Sequence, residues 1–212
     1  MIFSILWTIL LGIVGGIISS IIVSRIFFIQ GEYQQQIKFV DGIIRKLGAI
    51  SAFIQVMKSV LEASYDAQVK KEKEMKEKGY ETEAEYYAAH SDKNWIHEDI
   101  VLDKINIEIK KVTASIHTDM MNNPVNDNDL IGLLRRIQVF CNKATSKKEY
   151  TFSVIKELEE EQSAIVKQYD TCMKVSGKKL FSLVKRDKVM IITFILVVVL
   201  IAATILCHFL GV

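Results

Sequence analysis

The sequence predicts an all-α chain: two transmembrane helices, one N-terminal and one C-terminal, flank an antiparallel cytoplasmic helical bundle with long coiled-coil-like helices. Three observations carry that expectation. Two apolar blocks, Met1–Ser24 and Val189–Val212, each of about 23 residues, are long enough to cross a hydrocarbon core of about 30 Å as helices. Between them lie about 160 residues rich in Lys, Glu, Ile and Gln, enough for one modest domain with its own core. The chain has a single proline, Pro124, and few glycines beyond the first block, which favours long helices over a many-turned β fold. The expected boundaries are 1–28 for the first span, 29–187 for the bundle and 188–212 for the last span.

The first span carries a small or hydroxyl residue at every fourth position: Ser4, Thr8, Gly12, Gly16, Ser20 and Ser24. That spacing cuts a shallow groove along one side of a helix, where another helix can approach closely in lipid. The segment lacks a basic n-region and an A-x-A-like cleavage site, and its apolar stretch is long. An uncleaved anchor is therefore expected, not a signal peptide.

From Val40 the apolar residues fall at Val40, Ile43, Leu47, Ile50, Ile54, Met57 and Leu61, with gaps alternating between three and four. Ile44, Phe53, Val56 and Val60 widen the stripe, as suits a globular bundle. The first helix is expected to continue out of the membrane through Gly31 to about Gly79. Its last turns, Lys70–Lys78, have almost no apolar face, and Glu72 to Lys76 and Glu74 to Lys78 are favourable i,i+4 pairs. A solvated helix tip follows. Acids nearly cancel bases there, so no nucleic-acid partner is expected.

Gly79 to Trp95 reads as a connector with a short helix over Glu81 to His90. A second long helix is expected from Trp95 to Met121, with Leu102, Ile105, Ile109, Val112 and Ile116 on one face. The run Asn122–Asn128 is a dense turn signal. Asp127, Asn128 or Asp129 can then cap a third helix carrying Leu130, Leu133, Leu134, Ile137 and Phe140. Ser146 and Glu149 have capping-box spacing, so a fourth helix is expected to start there, with Phe152, Ile155, Leu158, Ile165 and Tyr169 on its face. Gly177 marks a break before the basic approach to the last span.

Topology follows from the basic flanks. Arg25, Lys38, Arg45 and Lys46 follow the first span; Lys174, Lys178, Lys179, Lys185, Arg186 and Lys188 precede the last. The positive-inside rule places the middle domain in the cytoplasm and both termini outside, in a two-pass protein of the cell membrane. Arg25, Lys178, Lys179, Lys185, Arg186 and Lys188 are thus candidate membrane-surface bases that meet lipid headgroups, while Leu180, Phe181, Leu183 and Val184 dip toward the acyl boundary. Cys141, Cys172 and Cys207 are odd in number and far apart, which suits reduced thiols.

Chemical signatures are sparse. His90 and His97 with their acidic neighbours lack the His-Glu-x-x-His geometry of a helical metal site, and His117 with Asp119 reads as a polar edge of the second helix. Glu157, Glu159, Glu160 and Glu161 read as a solvated acidic face. No Gly-rich phosphate loop and no nucleophile–base pair is evident, so no catalytic residue, cofactor or metal is expected. The last span has its own spaced small residues, Ala203, Cys207 and Gly211. With antiparallel spans centred near Ile13 and Leu200 and a rise of about 1.5 Å per residue, these fall near the depths of Gly12, Thr8 and Ser4. An intrachain seam between the two small-residue faces is the resulting expectation, with an intersubunit contact as the rival.

The functional expectation is a non-enzymatic, membrane-anchored scaffold or regulator that presents its bundle to an as yet unidentified protein partner. Two alternatives stand beside it. One is an oligomeric channel or membrane-perturbing effector with the bundle as its sensor, in keeping with a possible homo-oligomer. The other is an extracytoplasmic sensor bundle of reversed topology.

Overall fold

Sparse helix breakers and apolar residues at three- and four-residue spacing leave the chain little choice but helix. The computed structural model describes residues 2–90, 98–146, 150–174 and 177–209. These form seven helices: α1 (Ile2–Lys78), α2 (Glu83–Ala89), α3 (Glu98–Asn122), α4 (Asn128–Ser146), α5 (Phe152–Met173), α6 (Gly177–Arg186) and α7 (Lys188–Phe209). No strand occurs among the described residues. Two helices are long and apolar enough to cross a membrane: α1, in its N-terminal part, and α7. The chain divides into two compact units, Met1–Lys38 with Met173–Val212, and Phe39–Cys172.

The expected first helix runs unbroken through Gly31, Gly42 and Gly48. Each internal glycine costs about 1 kcal/mol of helix propensity relative to alanine, and the buried stripe around it offsets that cost. The helix stops at Gly79, whose φ of 74° is a left-handed conformation that a Cβ would disfavour. The Tyr80 N–H then donates back to the Met75 carbonyl, closing a Schellman turn. Thr82 caps α2, and Glu85 reaches back past it to the preceding residue. The Thr82 hydroxyl accepts from the Glu85 N–H, and the Glu85 carboxylate accepts from the Glu81 N–H. Residues 91–97, including Trp95 and His97, lie outside the described residues.

In the unit Phe39–Cys172 the periodic residues of four helices form one core. Val40, Ile43, Leu47, Ile50, Ile54 and Met57 of α1 are buried, as are Ile105, Ile109 and Ile116 of α3. They meet Leu130, Leu133, Ile137 and Phe140 of α4 and Ile155, Leu158 and Ile165 of α5. Removing such side chains from water contributes about 1.5–3 kcal/mol each. The stripe frays at its edges: Val56 and Phe152 are exposed.

Polar side chains tie the helices of this unit together. Lys46 donates to Ser115 and Asp119 of α3, and Ser64 donates to Glu98 at the other end of that helix. Tyr169 of α5 donates to Asp41 at 2.8 Å, while Gln55 and Lys58 both reach Glu159. Lys143 of α4 donates to Glu157 and Glu161 of α5 at 2.7 and 3.2 Å. The acidic run expected to be only a solvated face therefore supplies the cross-helix acceptors of α5. The reason is periodic: Glu157 and Glu161 are one turn apart, facing α4, and Glu159 points toward α1.

The third and fourth expected helices are separate elements, α4 and α5. Among the three candidate caps, Asp127 is the one used: its buried carboxylate accepts from the Asp129 and Leu130 N–H groups. The start of α5 differs from expectation. Ser146 closes the end of α4 by donating to the Lys143 carbonyl, and Thr151 caps α5 by accepting from the Val154 N–H. Residues 147–149, with Glu149, lie outside the described residues. Buried Tyr150 fixes this corner, its hydroxyl donating to the Ala144 carbonyl at 2.6 Å.

Cys141 is fully buried in this core. Burial pushes its thiol up to about 11, against a smaller downward pull from the Thr113 hydroxyl. Because the thiolate is the nucleophile, Cys141 in the folded chain should react with iodoacetamide at pH 8 at least about tenfold more slowly than in denaturant. Peptide mass analysis scores it directly; equal rates in the two states would show that the site opens readily.

Candidate membrane-boundary site

In the unit Met1–Lys38 with Met173–Val212, charged side chains meet the ends of the two apolar helices. Between α6 and α7 the helix is interrupted at Asp187. Asp187 is the N-cap of α7: its carboxylate accepts from the Met190 N–H at 3.0 Å, and its carbonyl accepts from the Ile191 N–H. The same carboxylate also receives Arg25 of α1. Arg25 Nε donates to Oδ1 and Oδ2 at 3.1 and 3.2 Å, and Nη2 donates to Oδ2 at 2.7 Å. This two-pronged geometry is what a planar guanidinium does best with a carboxylate. The guanidinium also lies over the Phe28 ring, 4.6 Å from its centroid.

The Asp187 side chain is only 14% exposed. The Arg25 hydrogen bonds hold its carboxyl below the usual range, outweighing the upward push of desolvation, and the Met190 N–H adds to them. An apolar helix that begins at a charged cap is thus pinned to a second apolar helix through that cap. Arg25, expected to be a free surface base, is one half of the pin. Asp187 was legible too: an Asp immediately before an apolar run is an N-cap signal. It was hidden inside a stretch read for its lysines and arginine.

Outward from this pair, α1 and α7 face each other across an apolar groove of about 350 Å³, lined by Leu11, Val14, Ile18 and Ile22 on one side and Val197, Leu200 and Thr204 on the other. This is not the seam expected from the small-residue ladder. Gly12, Gly16, Ser20 and Ser24 are exposed, and a Cβ built on Gly12 or Gly16 would meet nothing within 4 Å. Ala203 is half-buried. The groove uses the neighbouring face of α1, where Gly15 and Ser19 also line it. Gly211 and the side chains of Ser4, Thr8 and Cys207 lie outside the described residues.

Below the pair, α6 separates its side chains by type. Lys185, Arg186 and Lys188 are exposed, Lys179 is half-buried, and the Lys178 side chain lies outside the described residues. Leu180, Leu183 and Val184 are half-buried, but Phe181 is 70% exposed. Tyr33 and Ile37 of α1 are buried in the same unit.

The other candidates of the sequence resolve into local structure. His90 donates from Nδ1 to the Tyr86 carbonyl, stacks on the Tyr86 ring at 4.3 Å, and places Nε2 3.7 Å from Glu74. Tyr86 in turn donates to Glu74 at 3.0 Å, so this group seats α2 on the end of α1. Asp119 accepts from Lys46, and His117 keeps Nε2 buried without a hydrogen-bond partner among the described residues. Among the described residues no three His, Cys, Asp or Glu side chains gather as a metal-ligand set. Comparison with protein-family models, with curated proteins and with solved structures finds no match for this chain.

Proposed function

We propose that this chain is a non-enzymatic scaffold or regulator, anchored in a membrane by α1 and α7, that presents an antiparallel helical bundle to a protein partner in the cytoplasm. The observation that carries the reading is the Arg25–Asp187 pair. It joins the two apolar helices at the ends where the basic flanks begin, as two spans entering from one side would require. The bundle is supported by the order of its polar ties. Higher numbers on α1 meet lower numbers on both α3 and α5, and α4 meets α5 in the same reversed sense.

Protease digestion of sealed vesicles tests the topology. The Lys70–Lys78 end of α1 should be cut by trypsin in inside-out vesicles and spared in right-side-out ones; the opposite pattern overturns the cytoplasmic placement in favour of an extracytoplasmic sensor. A photo-crosslinker at Val139, an exposed apolar position on α4, tests the scaffold by reporting which protein lies against the bundle.

The exposed ladder favours one further reading. Gly12, Gly16, Ser20 and Ser24 leave a groove open on α1, which suits packing against another copy and hence an oligomeric channel or membrane-perturbing effector. Ion flux through proteoliposomes that is abolished by Gly16→Ile would establish that reading over the scaffold.

A further inference from the structure

We infer that α6 binds an anionic bilayer surface, with Phe181 inserted among the lipids and Lys185, Arg186 and Lys188 against their acidic headgroups. The inference rests on the reading of α1 and α7 as membrane spans. At 100° per residue, Leu180, Phe181, Leu183 and Val184 occupy one arc of α6, and Lys179, Ser182, Lys185 and Arg186 the other. The structure splits the apolar arc in two. Leu180, Leu183 and Val184 are half-covered within their own unit, while Phe181 projects with 70% of its surface open. Lys185 stands one helical turn beyond Phe181, and both it and Lys188 are exposed.

Charge decides what covers this face. Asp187 is the only acidic residue after Asp170, and its carboxylate is taken up by Arg25 and by the first turn of α7. Lys185, Arg186 and Lys188 therefore have no further acid in their own segment to offset them. Position decides between a lipid surface and an acidic protein. A single residue separates α6 from α7, the more apolar of the two candidate spans. A short helix held that close to a span, with an aromatic residue beside cations, has the pattern of an interfacial segment. Neutral lipid would take up Phe181 alone; acidic lipid takes up both the ring and the charges.

Hydrogen–deuterium exchange on the full chain in nanodiscs tests this. Amides of α6 should exchange at least about tenfold more slowly in discs containing phosphatidylserine than in phosphatidylcholine discs, since each base near an acidic surface adds to the attraction. The triple variant Lys185→Gln, Arg186→Gln, Lys188→Gln should lose that difference while matching the wild-type rate in phosphatidylcholine. Equal exchange in the two lipids, with α7 amides still protected, overturns the inference and leaves the face for an acidic protein surface. Unprotected α7 amides would instead overturn the reading of α7 as a span.

Discussion

Phe140→Ala should destabilise the unit Phe39–Cys172 by about 3–5 kcal/mol, the largest effect expected from any single substitution in this chain. Phe140 is fully buried on α4, so truncation loses the transfer of the ring from water and leaves a cavity that four packed helices cannot all close. Native-state hydrogen exchange of the full chain in detergent reads the loss as faster exchange of the most protected amides of α1, α3, α4 and α5. Phe152→Ala provides the internal comparison. That ring is 45% exposed, and its removal should cost less than about 1 kcal/mol. Similar effects for the two would mean that Phe140 is not at the centre of the core.

Asp187→Ala should have the second-largest effect and a different signature. Loss of an N-cap costs about 0.5–2 kcal/mol, and the upper end is expected because the same carboxylate is the acceptor for Arg25. Asp187→Asn separates the two roles: an amide still caps α7 but carries no charge for the guanidinium, so it should retain about half of the stability lost in the alanine variant. The sign of the pH dependence follows from the depressed carboxyl. Its contribution is fully present above the ordinary carboxylate pKa of about 4 and is lost as pH falls through the lower value of the folded state. Thermal melts in detergent between neutral and strongly acidic pH should show Asp187→Asn losing less on acidification than the wild type. Parallel melts of the two would show that the Arg25–Asp187 pair does not hold the helices together.

The helices and their buried faces were legible in the sequence because their signal is redundant. Six buried residues from Val40 to Met57 alternate three–four spacing on α1, and each of α3, α4 and α5 answers with its own stripe. The helix end at Gly79 was legible, and the start of α4 was narrowed to Asp127, Asn128 or Asp129, the first of which is used. The start of α5 was misread: Ser146 and Glu149 have the right spacing, but Thr151 lies next to the apolar stripe and takes the cap. The two apolar helices were harder to read. In an apolar segment every face is hydrophobic, so periodicity does not say which face meets a neighbour. The ladder named one face of α1, and the groove toward α7 lies along the adjacent one. Asp187 escaped notice for the opposite reason, since a lone acid within a basic run draws attention to the charges around it.

The Tyr169–Asp41 bond has a consequence for the order in which the molecule is made. Arg25 and Asp187 are 162 residues apart, so joining them in an otherwise open chain means closing a very long loop. Once Tyr169 has met Asp41, the remaining path between Arg25 and Asp187 shrinks to about 34 residues. On the logarithmic scaling of loop closure this saves about 1.4 kcal/mol, a tenfold gain in the local concentration of the two partners. Part of that path is stiff helix, which restricts it further. α7, made after the other described helices, therefore finds its partner most readily when the middle of the chain has already folded, and a lesion such as Phe140→Ala should delay the pairing of the apolar helices although it touches neither of them.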